Sequence, residues 1–382
     1  MHNTLRSDRI TNVSQPQVSG RIPSVEFGRV IAILLVIFIH TGFIDRLHYV
    51  GGGYGYIIDL PIWLTHSLPV AYFLLVAGYF FGKRVTDGRD PRALLRQYST
   101  PLIQLFIIWL VVYSLCPPDG IAAVYDHGLI EALTTAVATN LSILINEHVK
   151  LLLIPRPPVY HLWFLPSLIM GLAAVTGIIL LKIQKHVVAL ILVLYGAQLA
   201  VEIANPDGYF AFDPRQQLRS MQFILWGWWL SRYDRVSFPF ALSLAAGGIV
   251  LAFTEGVILK VIFHASSATV AHHAYLGSIV MIVGLFLLAL AKPDFSRGTS
   301  FPYLARFTFG VYVSHMLVIY ALVPIHQKLP SLSPLWHLGY AIGVCFLALG
   351  ITMVLSRLPF ARITVIGGTS RPFFTRRENS VP

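Results

Sequence analysis

Ten apolar runs divide the chain, at roughly 28–46, 60–81, 101–116, 162–181, 187–204, 217–231, 236–254, 273–291, 304–325 and 337–357. An α-helix needs about 20 predominantly apolar residues to cross about 30 Å of hydrocarbon. Inside that hydrocarbon every backbone N–H and C=O must be satisfied internally, which leaves helices as the structure such runs can form. Charged residues make up 12% of the chain and hydrophobic residues 56%. That charged fraction is about half the usual one, too little to coat a soluble surface. The expected fold is all-α: a polytopic integral membrane bundle of about ten transmembrane helices.

Basic residues set the orientation, because cytoplasmic segments are enriched in Lys and Arg. With the N-terminus inside, only Arg46, Lys150, Arg156, Arg215, Arg219, Lys260 and Lys328 fall outside, leaving 21 of 28 in cytoplasmic segments. Both termini are therefore expected in the cytoplasm. Residues 1–21 are polar, lack the apolar core of a signal peptide, and read as a disordered cytoplasmic tail. Residues 358–382 read as a second cytoplasmic tail, with the membrane domain occupying 22–357. The net charge of +11 does not imply a nucleic-acid partner, since no basic cluster lies outside the loops. Two cysteines, Cys116 and Cys345, are too few for a disulfide framework.

Ionisable groups inside such a bundle need an explanation. His40 closes the apolar run Val30–His40, with Glu26 and Arg29 at the entrance of the same helix. A neutral imidazole accepts a proton near pH 7 and suits general-base work; the alternative is an ordinary interhelical hydrogen bond. Eleven residues, about 16 Å of helix, separate Arg29 from His40, so that pair is read as an anchor or an anion site at the cytoplasmic mouth. The loop Lys83–Arg96 carries Lys83, Arg84, Arg89, Arg92 and Arg96, a set able to hold phosphates as well as to fix topology. No GxxxxGK loop is present. His161 enters the fourth run beside Trp163. Thr308, Tyr312 and His315 share one face of the ninth by i,i+4 and i,i+3 spacing. His264, His272, His273 and Glu255 lack a compact ligand pattern, so no metal is expected. Asp45, Asp59 and His66 are further outer-side candidates for orienting an imidazole. The long stretch 117–160 is read as a short amphipathic or re-entrant element.

These residues resemble the landmarks of the acyltransferase-3 family of integral membrane O-acyltransferases. They are Glu26-Phe-Gly-Arg29 through His40, then Leu68–Phe81, the basic loop, His161-Leu-Trp-Phe-Leu165, Gly227, and Thr308-Phe-Gly-Val-Tyr-Val-Ser-His315. The sequence departs from the family pattern at Glu26, where Asp is usual, and at Ala77, where Ser is common. Two pairs, Arg89/Arg92 and Arg92/Arg96, compete for the family's Arg-x-x-Arg. The resemblance implies transfer of an acyl group, usually acetyl, from cytoplasmic acyl-CoA to a hydroxyl of an envelope saccharide, a lipid-linked sugar or another acceptor. It also implies a bacterial cytoplasmic membrane and contact with membrane lipid; the extra extracytoplasmic domain found in some members is not expected here, since residues 358–382 alone follow the last run. A homo-oligomer is compatible with it.

The expected site places acyl-CoA phosphates on Arg84, Arg89, Arg92 and Arg96, with Glu26 and Arg29 shaping the mouth. His40 is the expected base, and His161, His315 or Tyr312 polarises the carbonyl or orients the acceptor. A transporter for a lipid-linked or small polar solute is the alternative, although no internal repeat supports it. A non-catalytic membrane scaffold is the third reading.

Overall fold

The computed structural model describes residues 21–43, 55–116, 121–146, 160–204, 214–233, 236–263, 275–327, 334–358, 362 and 365. Among these there is no strand. The helices are α1 (Pro23–His40), α2 (Gly55–Thr86), α3 (Pro91–Ser114), α4 (Ile121–His127), α5 (Leu129–Asn146), α6 (Phe164–Leu180), α7 (Val187–Ala204), α8 (Arg215–Leu230), α9 (Phe238–Val261), α10 (Leu276–Ala291), α11 (Phe301–Leu304), α12 (Thr308–Gln327) and α13 (Pro334–Arg357). Each of the ten apolar runs falls on one of them. Among the described residues, 8 helices are long and apolar enough to cross a membrane, and α10 is a shorter apolar one. The chain is an all-α polytopic membrane bundle. The tails expected at 1–21 and 358–382 lie almost wholly outside the described residues, as do His264, His272 and His273; Asp45 lies there too, and so do the side chains of Asp59 and His66.

Lipid-facing surfaces show in the burial pattern. Helices α7, α9 and α13 keep Leu192, Val193, Val250, Phe346 and Val354 exposed, the pattern of helices at the rim of a bundle. Helices α1, α2, α6, α8 and α12 hold most of the core, with Ile37, Leu75, Leu172, Ile224 and Val313 fully enclosed.

Helix α8 is the central wedge although it spans only 16 residues. Its backbone approaches α2 so closely that a Cβ on Gly227 would lie 2.0 Å from the Leu75 carbonyl oxygen. A Cβ on Gly78 would lie 2.1 Å from that of Ile224. Small residues permit this approach, and membrane helices associate largely through such packing. Helices α9 and α10 use the same device, with Gly248 and Gly277 set against each other's backbones.

Two local features position the site. Helix α1 opens with Pro23 at its first turn and ends in Thr41 and Gly42, the latter at φ +67°. It therefore closes at His40 rather than running on to residue 46. Among the described residues of the stretch 117–160 are the helices α4 and α5, separated at Gly128 (φ +82°). Helix α5 turns Ala132, Ala136 and Asn140 inward, one stripe at i, i+4 spacing, and the Asn140 amide donates to the Ser114 carbonyl (3.1 Å).

Candidate active site

Three imidazoles from distant parts of the chain converge. The ring centroids of His40 and His315 are 5.2 Å apart, and those of His161 and His315 are 5.5 Å apart. His40 arrives on the last residue of α1 and keeps partial exposure. His161 arrives on the 3-10 turn Tyr160–Trp163 that leads into α6. His315 arrives one face-turn above Tyr312 on α12. His161 and His315 are buried, at 2% and 0% exposure. The described residues form no metal-ligating group of three or more His, Cys, Asp or Glu.

The tautomer of His315 follows from its partner. Its Nδ1 lies 2.6 Å from the backbone carbonyl oxygen of Tyr312. A carbonyl can only accept, so Nδ1 carries the hydrogen and the neutral ring keeps its lone pair on Nε2. That Nε2 is buried and has no hydrogen-bond partner among the described residues. The Tyr312 hydroxyl is already committed, because it donates to the backbone carbonyl of His161. It ties α12 to the 3-10 turn and so holds His161 beside His315.

Tyr113, which the sequence did not single out, completes this frame. Its hydroxyl donates to the Val313 carbonyl (2.7 Å) and accepts the Leu317 N–H (3.2 Å). Its ring packs edge-on against His161 at 4.8 Å. Nothing in its apolar run on α3 marks it apart from neighbouring aromatics, since its importance lies in which helix it reaches.

Glu26 and Arg29 do pair, at 2.9 Å, with both side chains buried. Arg29 also donates to the Thr308 hydroxyl at 2.9 Å, and that hydroxyl in turn donates to the Ala305 carbonyl (2.9 Å). The polar face foreseen on the ninth run is thus divided: Thr308 belongs to the ion pair, while Tyr312 and His315 belong to the imidazoles. Between the two groups lies an apolar cleft lined by Val36, Val70, Phe73, Phe164, Thr308, Phe309 and Tyr312.

The basic loop lies elsewhere on the bundle surface. Asp90 caps α3, accepting from the Arg92 and Ala93 N–H groups (3.4 and 2.9 Å), and Gly88 at φ +83° turns the chain into that cap. This arrangement leaves Arg89, Arg92 and Arg96 exposed. Arg84 differs: it is half-buried, with its guanidinium over the Tyr98 ring at 5.5 Å.

A polytopic helical bundle with two buried histidines and a buried ion pair defines a membrane protein with polar groups inside its core. Residues 22–357 match the family model described as an acyltransferase domain, Acyl_transf_3, and the chain belongs to this acyltransferase-3 family. It is a membrane acyltransferase. No curated protein and no solved structure matches it.

Proposed function

We propose that the protein moves an acyl group, acetyl by default, from cytoplasmic acyl-CoA to a hydroxyl of an envelope saccharide, a lipid-linked glycan or a similar acceptor. Its setting would be a bacterial cytoplasmic membrane, with both termini inside. The observation that carries this reading is the convergence of His40, His161 and His315 around Tyr312, which lines an apolar cleft together with Thr308, the partner of Arg29.

His40 is the imidazole of the three that retains exposure, so it is the one an acceptor hydroxyl meets. It removes the hydroxyl proton as the alcohol oxygen attacks the thioester carbon. The C–S bond then breaks, the CoA thiolate leaves, and the proton on His40 passes to that sulfur. Acceptor ester and free CoA thiol are the products. The Nε2 lone pair of His315, whose ring lies 5.2 Å from that of His40, would stabilise the charge that develops there, an effect larger in a site that excludes water. Tyr312 and Tyr113 brace this geometry through backbone carbonyls, leaving the chemistry to the imidazoles.

Arg89, Arg92 and Arg96 suit the phosphates of CoA, because exposed guanidinium groups bind phosphate in two-pronged fashion. Arg84, stacked on Tyr98, would steady that surface. Glu26 and Arg29 would fix α1 against α12 beside the path of the thioester.

The test is transfer of label from acyl-CoA to envelope material in membranes holding the intact chain. Removing a general base costs about 10²–10⁴-fold in rate, and His40→Gln should lose that much. Uptake of an intact solute without acyl-CoA, or full activity in His40→Gln, would overturn the reading.

A further inference from the structure

We propose that the cleft between the ion pair and the imidazoles is the pocket for the donor's acyl chain, and that Phe73 sets the longest chain transferred. This rests on the acyl-CoA reading above and adds to it the residue that limits the donor.

The cleft offers nothing for a polar ligand to bind. Val36, Val70, Phe73, Phe164 and Phe309 supply only carbon to its wall. Its two hydroxyls are engaged: Thr308 accepts from Arg29 and donates to Ala305, and Tyr312 donates to the carbonyl of His161. The amides of a pantetheine arm, or the hydroxyls of a sugar, would enter without partners, which is costly in an apolar site. A hydrocarbon tail meets no such penalty. One end of the cleft is bordered by Thr308, whose hydroxyl is held by the buried Arg29. The other reaches Tyr312, whose ring lies 6.0 Å from both His161 and His315, where the thioester carbon has to be. A chain attached at that carbon therefore extends down the cleft.

Its size favours a short chain. The space open to the centre of a water molecule is about 10 Å³, room for about one water. That is the scale of an acetyl methyl, and a longer tail must displace a wall residue. Phe164 cannot give way, because it is buried and packed edge-on against Tyr312 at 5.3 Å. Phe73 is half-buried, with its ring 6.3 Å from that of Phe164. It shares a face of α2 with Val70, three residues earlier. Phe73 is the wall that can be removed without disturbing the imidazole frame.

The experiment follows CoA thiol release in native membranes holding the full chain, supplied in turn with acetyl-, butyryl- and hexanoyl-CoA. One methylene in an apolar pocket is worth about tenfold or more in discrimination. The intact protein should prefer acetyl over hexanoyl by at least that factor. Phe73→Ala should reduce the preference about tenfold or more, and Val70→Phe, which fills the cleft, should slow acetyl transfer as well. If Phe73→Ala fails to insert, Phe73→Leu and Val70→Ala carry the same test. An inserted, active Phe73→Ala or Phe73→Leu protein with an unchanged chain-length profile overturns the proposal, as does a preference of the intact protein for hexanoyl. Failure to release CoA from any of the three donors overturns the acyl-CoA reading itself, a result distinct from an unchanged profile.

Discussion

The rings of His40 and His315 lie 5.2 Å apart and tilted by 35°, one carried by α1 and the other by α12. They differ in enclosure. His315 is enclosed and its Nδ1–H is spent on the Tyr312 carbonyl, while His40 sits at a helix end with partial exposure. Under the proposed mechanism His40 would exchange the proton and His315 would supply a fixed lone pair beside it.

His315→Gln tests that division. Glutamine keeps a hydrogen-bond donor for the Tyr312 carbonyl but cannot present the same basic lone pair. Turnover should fall by about 10–100-fold while acyl-CoA KM stays within a factor of two, since the interaction strengthens only as charge develops on His40. Steady-state rates against acyl-CoA concentration measure both quantities. An equal rise in KM with unchanged turnover would assign His315 to donor binding.

The Glu26–Arg29–Thr308 contact is a buried charged unit, and its parts should not contribute equally. Arg29→Met leaves the Glu26 carboxylate buried and unpaired, at 2% exposure. Such a change costs about 3–5 kcal/mol. Thr308→Val removes one acceptor from an arginine that keeps its carboxylate, a loss of about 1–3 kcal/mol. The double variant Glu26→Gln with Arg29→Met should be more stable than Arg29→Met alone, because no bare charge remains. Thermal unfolding of the detergent-solubilised protein ranks the three.

Arg89, Arg92 and Arg96 are exposed and screened by water, so under the acyl-CoA reading each contact with a CoA phosphate would be worth about 0.2–1 kcal/mol. Single alanine variants should raise KM for acyl-CoA by about fivefold at most and leave turnover unchanged. Raising ionic strength should shrink the difference between variant and intact protein, because exposed pairs are screened within about 10 Å at 0.1 M salt. A salt-independent KM would remove these arginines from the donor site.

The sequence makes the helices legible because length and hydropathy are local properties. Runs such as 187–204 had to be helical once placed in hydrocarbon, and the helix bounded by Val187 and Ala204 has those same ends. The i,i+4 spacing of Thr308 and Tyr312 also showed that they share a face. What the spacing could not show was a partner on another helix: Arg29 for Thr308, the His161 carbonyl for Tyr312. Tyr113 escaped notice for the same reason, as its two backbone contacts are made on α12. Spacing along α2 and α6 likewise shows nothing of the cleft that Phe73 and Phe164 line together. Contacts between helices far apart in the chain leave no periodic trace.

Helix α8 is the sharpest case of hidden importance, and its packing gives the last prediction. By hydropathy it is the weakest of the ten runs, since its first half carries Arg215, Gln216, Gln217, Arg219, Ser220 and Gln222. Two of them have clear partners: the Gln222 amide donates to Gln198 on α7 at 2.8 Å, and Ser220 donates back to the Gln216 carbonyl of its own helix at 2.7 Å. Its second half reaches the core through Gly227, whose missing side chain lets α2 approach. Gly227→Ala would set a methyl 2.0 Å from the Leu75 carbonyl oxygen. A backbone oxygen cannot swing aside as a flexible side chain can, so α2 and α8 must separate. Overpacking of this kind costs about 1–3 kcal/mol, and the thermal midpoint should fall accordingly. Because Leu75 and Phe73 lie on the same helix, the separation should also carry Phe73 away from Phe164 and weaken discrimination between acetyl and longer acyl donors. Gly177→Ala, where no atom lies within 4 Å of the new methyl, is the control. It should leave both the midpoint and the chain-length profile where they were, and a Gly227→Ala protein as stable as that control would show that α2 and α8 do not pack as closely as described.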